Sequence, residues 1–153
     1  MIYKSNEEVI SLVKGFGRGT LPQDRWTHAA YLTVGLYYRL KYPLAVTKKI
    51  MREGVCRLND NYRASGADTC GYHETLTVFW LLTIEEFAEN AKCGSLAETA
   101  NLLVASCDRE LPLRIYSREL LFSPEAKTRY VEPDLRKHWI VPSELAFSAS
   151  FAH

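Results

Sequence analysis

From Ser5 to Tyr130 the apolar residues of this chain recur at intervals of three and four, the period of one helix face. Beyond short ambiguous runs, none alternates as a half-buried strand requires. Glycines and prolines cut the pattern into segments, so the chain is restricted to helices packed on helices.

The first segment opens at Ser5, with Glu8 at capping-box spacing. Val9, Ile10, Leu12 and Val13 give it an apolar face, and the glycines at 15, 17 and 19 are expected to end it. The string Gly15-Phe16-Gly17-Arg18-Gly19-Thr20 is not a phosphate loop: it follows a helix instead of a strand and has no lysine before its threonine. Pro22, followed by Gln23 and Asp24, is helix-start chemistry. The stretch through Trp26, Ala29, Ala30, Leu32, Val34, Leu36, Tyr37 and Leu40 to about Tyr42 is apolar nearly all round, as a central helix would be.

Pro43 starts a third helix. Ala45, Val46, Ile50, Met51, Val55 and Leu58 lie toward one side, and Lys48, Lys49, Arg52 and Arg57 cover a solvated other side. Asn59 to Gly71 is expected to be a loop. From Tyr72 to about Ala91 the period returns with Leu76, Phe79, Trp80, Ile84 and Phe87, until Gly94 stops it. Ser95 and Glu98 repeat the capping-box spacing, predicting a helix over Leu96–Cys107. After Leu111-Pro112, Leu113–Phe122 is expected as a shorter helix. Ser123-Pro124-Glu125 starts one more, to about Tyr130, which Glu132-Pro133-Asp134 ends. Residues 139–153, with Trp139, Phe147 and Phe151, are expected to form an irregular tail. The expectation is one all-α domain over residues 1–153, a bundle of about four long helices with shorter C-terminal ones.

Charge and composition narrow the function classes. The formal net charge is +1, so nothing global draws the chain to nucleic acid or to an anionic membrane. No apolar run approaches the ~20 residues that span a bilayer. Met1 to Glu8 lacks a basic region followed by an apolar core, so no secretory signal is expected and a cytoplasmic protein is the default. Cys56, Cys70, Cys93 and Cys107 form no CxxC pair and are expected as small core residues. Cys70, just before a helix start, has two readings: an activated nucleophile or a loop thiol without a role.

Chemistry concentrates at two phrases, Trp26-Thr27-His28 and Gly71-Tyr72-His73-Glu74-Thr75, which hold two of the four histidines. Asp24 lies one helical turn before His28, where a carboxylate orients an imidazole. His73 lies at a helix start, where the dipole disfavours the imidazolium form and a neutral ring suits ligation or base work. Three readings stay open. In the first, His28 and His73, with a carboxylate from Asp24, Glu74, Glu132 or Asp134, hold zinc or ferrous iron for a small-molecule hydrolase or oxygenase. In the second, His28, His73 and Glu74 do acid–base chemistry without metal. In the third, each histidine is a hydrogen-bonded core residue, and the chain is a small-ligand or protein-binding module, with a homodimer through Trp139 and Phe147 as one form of it. No HExxH, ExxH or HxxxH spacing is present, which excludes a zincin and a ferritin-type di-iron bundle. Tyr31, Tyr37, Tyr38, Tyr62 and Tyr72 are pocket candidates that helical spacing equally assigns to packing.

Leu21-Pro22 with Trp26-Thr27-His28, Gly71-Tyr72-His73-Glu74-Thr75, Tyr116-Ser117 with Leu120-Leu121-Phe122-Ser123, and Val131-Glu132-Pro133-Asp134-Leu135 together resemble a family of small uncharacterised bacterial proteins. The resemblance runs from about residue 21 to 135 and implies no particular activity. Where its members carry a second histidine three residues after the first, this chain has Tyr31.

Overall fold

The computed structural model describes residues 2–67, 71–91 and 94–136. Cys70, Cys93, His138, Trp139, Phe147, Phe151, His153 and the expected tail lie outside the described residues.

Helix α1 (Asn6–Arg18) begins as expected: the Ser5 hydroxyl accepts from the Glu8 amide at 3.4 Å, and the Glu8 carboxylate accepts from the Lys4 amide at 2.9 Å. It does not end at Gly15. The helix runs through Gly15 and Gly17 and stops at Gly19, whose φ of 70° is left-handed. Two helical glycines cost about 1 kcal/mol each relative to alanine, and burial of Phe16 between them, which leaves it 1% exposed, offsets much of that.

The second helix starts later than Pro22 predicts. Residues Gln23–Arg25 form one 3-10 turn. Thr27 then turns extended and its hydroxyl accepts from the Ala30 amide at 3.1 Å, so α2 (His28–Lys41) begins at His28. A threonine cap satisfies an orphan amide that Pro22, with no capping side chain, would leave open. Ala30, Leu32, Thr33, Val34, Gly35 and Leu36 are all buried, which places α2 at the centre, against α1, α3, α4 and α5.

Helix α3 (Leu44–Ala64) absorbs six residues expected in a loop. Asn59-Asp60-Asn61 are poor helix formers, but Leu58 and Tyr62 are buried and the Tyr62 hydroxyl donates to the Leu21 carbonyl at 2.8 Å. Tertiary packing outweighs propensity here. Helices α4 (Glu74–Asn90) and α5 (Leu96–Ser106) match expectation, the latter capped by Ser95. The expected helix over 113–122 is instead two pieces, a 3-10 turn Leu111–Arg114 and α6 (Arg118–Leu121), because the Ser117 hydroxyl accepts from the Leu120 amide and restarts the chain. Helix α7 (Pro124–Thr128) is capped in the same way by Ser123.

The result is an all-α bundle with seven α-helices and no strand among the described residues. No described helix is long and apolar enough to cross a membrane. Leu32, Leu36, Phe79, Leu81 and Ile84 are at most 1% exposed. Each contributes about 1.5–3 kcal/mol, more than a typical hydrogen bond, so apolar packing of α2 on α4 sets the architecture and polar contacts adjust it.

One crossing tolerates no added atom. A Cβ on Gly54 of α3 would lie 2.1 Å from Cζ of Phe16, a ring already stacked on Trp26 at 5.2 Å. Gly54→Ala gains about 1 kcal/mol of helix propensity and incurs 1–3 kcal/mol or more of overpacking. We expect a net loss of about 1–2 kcal/mol in urea unfolding; unchanged or increased stability would show that Phe16 can move away.

Candidate functional site

The two histidine phrases meet. His28 opens α2, His73 is the cap residue of α4, and both line a cavity of about 460 Å³ between α2, α3 and the entry to α4. Trp26, Thr27 and Tyr31 form the α2 side; Val55, Asn59 and Tyr62 the α3 side; Gly71, Tyr72, Leu76, Thr77 and Trp80 the α4 side. Gln23 and Arg109 complete it.

His73 is bonded at both ring nitrogens. Its Nδ1 accepts from the Leu76 amide at 3.1 Å and caps α4, so the proton is on Nε2, which donates to the Leu121 carbonyl at 2.7 Å. Burial, the largest influence, holds its pKa below the ordinary imidazole value, against an upward pull from that carbonyl. With the donor and the acceptor of the neutral ring both used, His73 has no lone pair left for a metal or for base chemistry.

His28 differs. Its Nε2–H donates to the Cys107 carbonyl at 3.1 Å, and its ring meets Trp80 edge-on at 5.0 Å. Burial again lowers its pKa, opposed by the Cys107 carbonyl. A carbonyl only accepts, so Nδ1 carries the lone pair of the neutral ring, and it has no protein partner among the described residues.

The expected carboxylates do not join the histidines. Glu74 accepts from the Tyr72 hydroxyl at 2.6 Å and from Lys48 at 3.0 Å. Burial pushes its pKa up, but these two partners outweigh burial and hold it below the usual carboxylate range. It therefore positions Tyr72 and does not line the cavity. Asp24 sits exposed in the 3-10 turn, off the helix, so the one-turn spacing to His28 is not realised. Glu132 is exposed, and Asp134 accepts from the amide and hydroxyl of Ser117 at 2.7 and 2.6 Å. Among the described residues no three His, Cys, Asp or Glu side chains are grouped to hold a metal ion. The expected set of two histidines and one carboxylate is not assembled, because each of Glu74 and Asp134 is engaged elsewhere and His73 has no free nitrogen.

Several cavity residues carried no signal in the sequence. Asn59 is only 9% exposed, and its side chain makes no hydrogen bond among the described residues. Its place inside a helix, and not in a loop, is what turns it toward the cavity. Arg109, in the short link after α5, lines the opening and has neither hydrogen bond nor ion pair among the described residues. The Tyr31 hydroxyl donates to Thr77 at 3.3 Å, and Thr77 donates to the His73 carbonyl at 2.9 Å; burial raises the Tyr31 pKa to about 12. Tyr31, Tyr62 and Tyr72 line the cavity; Tyr37 and Tyr38 do not.

Comparison with family models, with curated proteins and with solved structures finds no match to the chain.

Both histidines have folded pKa values below their unfolded one, about 6.5. The unfolded chain therefore takes up protons first, and stability is full above that pH and declines as pH falls below it. His73→Asn keeps the cap, since its amide oxygen can accept from Leu76, but loses the reach to Leu121. We expect a loss of about 1–3 kcal/mol at pH 7.5, the cost of an orphaned carbonyl, and a shallower decline of melting temperature between pH 7 and 5. A decline as steep as in the wild type would show that His73 is not the titrating group.

Proposed function

We propose that this chain binds a small organic molecule in the cavity between α2, α3 and α4, and that His73 serves it as a structural residue. The observation that supports this most directly is Asn59, nine-tenths buried on the cavity wall with no protein partner. The amide is open to the cavity, so a bound molecule can take the hydrogen bonds that solvent otherwise makes there. The volume is in the range of small-ligand sites, and the wall sets tryptophan and tyrosine rings among polar side chains that can orient an occupant. Asn59 offers a donor and an acceptor, and His28 Nδ1 an acceptor, to fix the orientation of the occupant. The reading is of a cytoplasmic binding module; the unpaired Cys56, exposed on α3, is compatible with a reducing compartment.

The test uses two flat probes of equal shape, 2-naphthoate and 2-naphthamide, titrated calorimetrically. Saturable one-to-one binding of at least one is expected. Asn59→Leu should weaken it about tenfold, or about 1.4 kcal/mol, while the melting temperature holds or rises. Binding of neither probe, or an Asn59→Leu chain that melts earlier yet binds as before, would overturn the reading.

A further inference from the structure

The charge on the cavity wall itself is positive, although Asp24, Glu74 and Asp108 act on Tyr62, Tyr72 and His28 without lining it. No Asp or Glu lines it among the described residues, and Arg109 stands at its opening without a counter-ion there. Two long helices also begin at it. Thr27 and His28 are the cap and first residue of α2, 14 residues long, and His73 is the cap of α4, 17 residues long. Each helix start carries the positive end of a macrodipole, about half an elementary charge, and unsatisfied amides. The negative end of α5 lies nearby, and the Nε2–H of His28 on the carbonyl of its cap residue Cys107 offsets part of that charge. Asn59, nine-tenths buried as a residue, turns an amide without a protein partner among the described residues into the cavity, an independent sign of a place for an occupant.

The walls limit the body of that occupant. Trp26, Tyr31, Tyr62, Tyr72 and Trp80 present ring faces and edges, which suit a flat apolar group. One cation and two helix starts match one acidic group. Deepening the ligand-binding reading above, on which this rests, we infer that the cavity takes a flat monoanion, an aromatic or heteroaromatic carboxylate, with its acidic group toward Arg109 and the helix starts and its ring between the tryptophans and tyrosines. The lone pair of His28 Nδ1 then faces a donor on the ring and not the carboxylate.

The same two probes decide this, since they differ only in charge. At low salt, 2-naphthoate should bind about tenfold or more tightly than 2-naphthamide. The gap should narrow at high salt and shrink to about threefold, the share of the helix starts, in Arg109→Met, with Arg109→Lys keeping most of it. Arg109 is exposed and unpaired among the described residues, so these variants fold. If 2-naphthamide binds as tightly as 2-naphthoate in the wild type, the assignment of an anion falls and the cavity reading stands. A gap that Arg109→Met leaves intact removes Arg109 from the site and overturns the proposed orientation. If neither probe binds, both readings fall together.

Discussion

The neutral imidazole of His73 is the contact on which the candidate site depends. A neutral ring has one acceptor and one donor, and here each is spent on backbone: the acceptor on the first turn of α4, the donor on the last residue of α6. One side chain thereby fixes where a long helix begins and where the C-terminal segment lies on it. A protonated ring would lose the cap, because both nitrogens would then donate. The chemistry that makes histidine attractive as a catalyst is used here to hold two elements in register.

Three of the four phrases that the sequence suggested as one family, at 71–75, 116–123 and 131–135, are stitched to each other or to their neighbours. The Thr75 hydroxyl, fully buried, lies 2.6 Å from the Ala126 carbonyl and accepts from the Val131 amide. The Tyr116 hydroxyl donates to the Val131 carbonyl at 2.6 Å, Asp134 holds Ser117, and the Leu135 amide donates to the Ile115 carbonyl. The segment around Val131 to Leu135 is thus a clasp over α4 and α6, not a lid bringing carboxylates to the histidines. A polar pattern that looks catalytic in one dimension serves here to satisfy backbone groups that short helices leave unpaired.

The helical class was legible because period, caps and stops agree, and Ser5, Ser95 and Ser123 cap where their spacing says they should. Boundaries failed where a long-range contact outweighed a local one. Asn59 to Ala64 stay helical because Leu58 and Tyr62 are buried, and Gly15 and Gly17 stay helical around a buried Phe16. The sequence offered the two histidines as one pair, and they do share a cavity, although it placed the start of the second helix at Pro22 and not at His28. Asn59 and Arg109 were not legible, since a lone amide and a lone cation have no periodicity, and only the packing of α3 and the turn after α5 bring them there.

The packing behind Trp26 has a mechanical consequence. On its far side lies Phe16, and behind Phe16 lies the bare backbone of α3 at Gly54. A wall backed by side chains yields to a bulky guest by rotamer changes; this one is backed by main chain, which does not. The cavity is stiff on that side, so a ceiling on thickness, and not only attraction, selects what enters it.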